Sequence, residues 1–219
     1  MLADWIARLR ERLAAAADAP PATALAATDH MHLDANAVPA DPVRRVLRGL
    51  PVVVTNTRPD IDTEHVFARV AAVLDLVAAH QPWRFRRLLR DLAAIDVRRF
   101  PCRAAFFPAE RVCLLELTFV VNPEFNLAQV ASSLVHEGVH ARVHAMGVAD
   151  FPGRMGKEER LCRRAELEFG RAVPGGEPVV ERALATLAMD DEEVAPTVDW
   201  GLAARRVADA DRAARGAGD

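Results

Sequence analysis

Apolar residues recur at positions 127, 130, 131, 134, 135 and 139, the i, i+3, i+4 stripe of a buried helix, and predict a helix over 126–147. A second stripe at 161, 162, 165 and 169 predicts another over 156–172. Ahead of them the period shortens towards two. Residues 103–107 and 112–121 read as strands joined by Pro108-Ala109-Glu110-Arg111, an antiparallel hairpin in which Cys113, Leu115, Leu117, Phe119 and Val121 share one face and Glu116 and Thr118 the other. The β-branched run Pro51 to Thr55 predicts a further strand. Helices are expected over 62–80, capped by Asp62 or Thr63, and over 83–95 after Pro82. Pro174-Gly175-Gly176 stops the 156–172 helix, and helices over 178–189 and 198–214 follow, separated by an acidic loop at 190–193. An amphipathic helix over 3–18 ends at Ala19-Pro20-Pro21, which divides the chain into an N-terminal helix with linker (1–21) and one domain (22–219). Residues 22–50 are poorly patterned. The expected class is α+β, mostly helical, with a short antiparallel or mixed sheet ahead of the 126–147 helix.

Composition narrows the setting. A chain of 219 residues with 51% hydrophobic content can bury a full core. Its 28 basic and 31 acidic residues are interspersed at a net charge of −3, which gives no electrostatic footprint for nucleic acid. The basic run from Trp83 to Arg90 carries apolar residues at helical spacing and reads as a solvated helix face. Three cysteines cannot all pair with one another, and their sparse use suits a reducing compartment; Cys102 and Cys113 flank the hairpin and are expected as free thiols. Charges run through the first 13 residues, where a signal peptide would be apolar, and no run of about 18 apolar residues occurs. A cytoplasmic protein without a membrane span is expected.

The chemistry lies on the 126–147 helix. His136-Glu137-Gly138-Val139-His140 is an H-E-x-x-H pattern. Residues four apart on a helix differ by about 40° in azimuth and about 6 Å in height, so both imidazoles can reach one ion. Two imidazoles on a largely apolar helix need polar partners, which a metal would supply. A catalytic Zn²⁺ takes three protein ligands and keeps an open position for water, and in this pattern the Glu, here Glu137, is the general base. Gly138 is a poor helix former; its missing side chain is expected to leave room near the ion for substrate or water. On the 156–172 helix, Glu159, Cys162 and Glu166 share the inward face while Glu158 and Glu168 point further round. His136, His140 and Glu159 therefore form the expected ligand set for one Zn²⁺, and Glu166 the expected acceptor for a ligand imidazole. His30 and His32 flank Met31 in an H-x-H pair outside any motif and read as a surface feature.

This arrangement resembles the gluzincins, zinc metallopeptidases with H-E-x-x-H on one helix and a Glu ligand on the next. The resemblance covers roughly residues 103–170, and the eighteen-residue gap between His140 and Glu159 is similar to that of the aminopeptidase branch. Ser133 to Arg142 followed by Glu159 to Cys162 also resembles small, uncharacterised bacterial metallopeptidases. The resemblance implies a zincin-like fold and hydrolysis of a peptide or other amide bond by a zinc-activated water. It also implies that the strand before the metal helix pairs with the substrate backbone. The chain departs from the pattern in four ways. Arg142 stands where an apolar residue is usual, Arg163 stands where an Asp often orients a ligand His, no G-x-M-x-N segment occurs, and there is no Tyr. An oxyanion donor must then come from His144, Arg163 or Arg164. A non-catalytic zinc-binding module that docks a protein or nucleic-acid partner is the alternative, and a helical scaffold with a fortuitous motif is the third reading.

Overall fold

The computed structural model describes residues 41–148, 153–195 and 199–216. The expected helix over 3–18, the linker at 19–21 and the His30/His32 pair lie outside the described residues. β1 (Val43–Leu47) and β2 (Leu50–Thr55) form a hairpin whose turn residues, Arg48 and Gly49, both have positive φ (50° and 88°). That geometry matches the twist of the paired strands. β1 was not visible in the sequence because its residues are largely exposed and carry no apolar alternation.

α1 (Thr63–His80) and α2 (Pro82–Asp91) follow, with Asp62 capping α1 through Glu64 N. The helix expected to reach 95 stops at Asp91. Leu92 is already extended, and the α2 carbonyls of Arg90 and Asp91 accept hydrogen bonds from the Arg111 side chain, which satisfies helix-end groups with no partner of their own. Residues that looked like the last turn belong instead to β3 (Ala94–Arg98), which pairs parallel with β2 and with β5 (Val112–Glu116). β4 (Ala104–Phe107) pairs antiparallel with β5, as the hairpin reading expects. The result is a five-stranded mixed sheet in the order β1-β2-β3-β5-β4.

The strand expected over 112–121 is cut short. Glu116 accepts a hydrogen bond from Phe119 N and nucleates a short helix, α3 (Leu117–Val121), so the alternating face persists only as far as Leu115. Asn126 and Gln129 then form a capping box that starts α4 (Leu127–Ala145). α4 lies at the centre of the molecule and packs on α1, α2 and the β4–β5 end of the sheet. α5 (Arg154–Ala172) and α6 (Glu177–Leu187) follow. The acidic segment expected as a loop forms α7 (Asp191–Val194), capped by Asp190, and α8 (Trp200–Gly216) closes the described chain. One face of the sheet, including Val52, Val54, Ile95, Val97 and Leu115, meets α1 and α4 in a single core. The architecture is α+β and mostly helical.

Two glycine contacts set helix spacing. A side chain at Gly138 would meet the buried Leu88 Cδ2 at 2.4 Å, so Gly138 lets α2 approach α4. It faces α2 rather than the site, contrary to the expectation that it leaves room beside an ion. Gly176 presses its α-carbon on the Gly170 backbone, where an added Cβ would lie 1.9 Å from a carbonyl oxygen, and so locks the start of α6 onto the end of α5.

Candidate metal centre

α4 and α5 pack side by side, and their facing surfaces carry the polar residues singled out in the sequence. His136 is 6% exposed and Glu137 equally buried, one turn below His140. The imidazole Nε2 atoms of His136 and His140 lie 3.2 Å apart. Glu159, from the second turn of α5, reaches both: its carboxylate oxygens are 3.4 Å from His136 Nε2 and 3.2 Å from His140 Nε2. Cys162 Sγ, fully buried one turn further along α5, is 3.5 Å from His140 Nε2.

The outer nitrogens explain why the inner ones face each other. His136 Nδ1 donates to Glu166 at 2.9 Å, and His140 Nδ1 donates to Glu158 at 2.7 Å. Both rings are thereby fixed with the Nε2 lone pairs directed inward. Two lone pairs, a carboxylate and a sulfur cannot share such a space without a positive charge between them. Donor atoms on a tetrahedral ion at about 2.0–2.1 Å would sit roughly 3.3 Å apart, close to the separations found here. A His136, His140 and Cys162 group that could hold a metal ion is thus present, and Glu159 stands at the same focus.

The electrostatics carry the same message. Burial disfavours a charged imidazole, yet the Cys162, Glu159 and Glu166 acceptors around His136 outweigh it and hold its pKa well above the ordinary value. His140 is likewise raised, by Cys162, Glu158 and Glu159 against burial. Glu159 is pushed below the usual carboxylate range: burial works against this, but the two imidazoles dominate. The cluster demands positive charge, which protons or a metal can meet. Glu137 behaves oppositely. Burial lifts its pKa, with the charges of Glu159 and Glu166 adding to the rise, although the two imidazoles pull it down.

An outer layer holds this centre. Glu166, 1% exposed, accepts from Arg163 at 2.9 Å and from Arg182 of α6 at 3.2 Å; Arg182 also donates to Ser132. Glu158 accepts from Arg154 at 3.2 Å. Glu166 thus stands where the sequence reading placed it, while Glu158, expected to point away, anchors the second imidazole. Cys162 was read as part of an apolar stripe; the signal that it belongs to the site is its i+3 spacing from Glu159 on the inward face. Glu168 does point outward and pairs with Arg84 at 2.5 Å.

The cluster lies at the floor of a cleft of about 670 Å³. Glu137, Arg163 and His144 line it, His144 with its ring against Phe106. Arg164, named with them as an oxyanion donor, lines a separate groove beside Trp83 and Arg142 on the far side of the helix pair. The opposite wall of the main cleft is β4, the last strand of the sheet. β5, expected to pair with a substrate, is bonded on both sides and cannot do so; that geometry belongs to β4. Cys102, at the cleft rim, and Cys113, behind it, are free thiols, and burial pushes the Cys102 pKa up to about 12.

No protein-family model matches the chain, and neither a curated protein nor a solved structure does.

Proposed function

We propose that the protein is a zinc-dependent hydrolase of peptide or amide bonds with a zincin-like arrangement of its site. The observation that carries the reading is the meeting of His136 Nε2, His140 Nε2 and the Glu159 carboxylate within 3.4 Å of one another, with Glu137 beside them in the same cleft. Imidazole and carboxylate donors at such separations suit Zn²⁺, and His136, His140 and Glu159 would hold it. Zinc bound there would polarise a scissile carbonyl and acidify a water molecule. Glu137 would take the proton of that water and deliver it to the leaving amine, a task helped by a raised carboxyl pKa. Glu166 and Glu158 hold the imidazoles in their ligand tautomer. Among the described residues β4 is an edge strand, along which an extended substrate could add as a further strand. Arg163 is committed to Glu166, whereas the His144 side chain has no hydrogen-bond partner among the described residues and is the better donor to an oxyanion.

The test is Glu137→Gln. It is expected to keep one zinc per chain and to lose hydrolysis of a peptide mixture by about 10² to 10⁴-fold. Unchanged turnover would remove Glu137 from the reaction.

The position of Cys162 favours a second reading. If its thiolate takes the fourth position, the zinc is closed to water and the chain is a zinc-holding module that binds a protein or nucleic-acid partner. Cobalt substitution separates the two. Sulfur-to-metal charge-transfer absorption that disappears in Cys162→Ser marks the closed set, and its absence in the unsubstituted protein marks the open one.

A further inference from the structure

The two ends of the cleft differ in charge. β4 lies against α4, and the later residues of the two meet where Phe106 packs on His144. At one end Phe106 lies against His144, with Pro108 and Met155 beside them. At the other, one turn before His136, Ser132 receives Arg182. Arg103, at the start of β4, stands at that same end, held below the usual arginine pKa by burial and by the charge of Arg182, with Glu166 opposing. Its guanidinium stacks over the rings of Phe125 at 4.6 Å and Phe119 at 5.4 Å.

Three guanidinium groups, those of Arg103, Arg163 and Arg182, gather at this end. Arg163 and Arg182 share Glu166, with Glu159 3.9 Å from Arg163. Arg103, by contrast, meets aromatic rings and has no carboxylate partner among the described residues. An anion entering this end of the cleft would meet the guanidinium of Arg103 with that of Arg182 beside it. Stacking on two aromatic rings fixes Arg103 in the fork geometry that suits a carboxylate.

Direction then follows from the strand. Antiparallel pairing is the more stable mode, and a peptide adding antiparallel to β4 runs from Phe107 towards Arg103. Its residues beyond the scissile bond lie at the cationic end, and those before it lie against Phe106 and Met155. We propose that the cleft binds peptides through a free C-terminal carboxylate held by Arg103 and Arg182, so that the enzyme trims chains from the C-terminus. The cutting step rests on the hydrolase reading above; the carboxylate site rests on the arginines alone.

The experiment uses N-acetylated hexapeptides of randomised sequence, half ending in a free carboxylate and half amidated, passed over immobilised, zinc-loaded Glu137→Gln protein. The acid-ended half is expected to be retained about tenfold or more over the amidated half, and Arg103→Gln added to that protein should bring the two to parity while zinc content stays at one. Equal retention of both halves, retention of neither, or a preference that survives Arg103→Gln overturns the proposal. The native chain is then given the same peptides. Preferential retention without cleavage would sink the hydrolase reading and leave the carboxylate site standing. Cleavage of both halves alike would uphold the hydrolase and sink the site.

Discussion

At the residue scale, the proposed zinc site rests on which nitrogen of each histidine is tied back. Glu166 takes His136 Nδ1 and Glu158 takes His140 Nδ1, so the ligand nitrogens are presented together. Glu166→Gln keeps an acceptor but loses the charge that strengthens the bond, and zinc affinity is expected to fall about 10 to 100-fold in a competition titration with a coloured chelator. Since the surrounding acceptors raise both imidazole pKa values, a metal entering between the Nε2 atoms competes with protons for them. Zinc binding should therefore release protons and weaken as pH falls. Calorimetry in buffers of different ionisation enthalpy reads the release directly, and a pH-independent affinity would contradict it. His136 and His140 were legible as a pair because helical spacing puts both on one face of α4, and Glu159 because its spacing from Cys162 and Glu166 puts it on the inward face of α5. Glu158 and Cys162 were not, because the angle at which α5 crosses α4, which no periodicity records, decides which neighbours of Glu159 reach the rings.

At the element scale, the site depends on two helix contacts made by glycines. Gly176 against Gly170 fixes α6 on α5 and so brings Arg182 to Glu166. Gly176→Ala pushes a methyl group into backbone that cannot yield, with an expected loss of about 1–3 kcal/mol in denaturant unfolding, or more where the backbone cannot relax. An unchanged midpoint would mean that α6 is not held there. Gly138 shows how a correct motif can carry a wrong detail: inside H-E-x-x-H its smallness invites a reading about the ion, whereas the contact it serves is with Leu88. The boundaries that sequence patterns missed share a cause. Arg111 ends α2, and Glu116 turns β5 into α3, each through a side-chain bond to the backbone that apolar periodicity does not encode. The helices over 63–80, 127–145 and 154–172 were legible because long apolar stripes match a single period.

At the scale of the whole molecule, the sheet supplies a wall and the helices a floor, and the cluster of His136, His140 and Glu159 lies between them. The buried Arg99 ties Glu116 and Thr118 at the end of the sheet to Asp211 of α8, so the C-terminal helix is fastened to the frame that carries the cleft. Because the proposed ligands come from two different helices, an ion that binds only the folded chain also braces it. Zinc at about 1,000 times its dissociation constant adds about 4 kcal/mol, which for a domain of this size raises the melting temperature by about 8–16 °C. Chelation should reverse that rise, and no chelator effect is expected in His140→Ala.

The central claim is a metal centre built by His136, His140 and Glu159, and elemental analysis of the protein purified at neutral pH tests it most directly. One zinc per chain in the native protein and in Glu137→Gln, and none in His140→Ala, is the predicted result; a native protein without stoichiometric metal after incubation with zinc would contradict it.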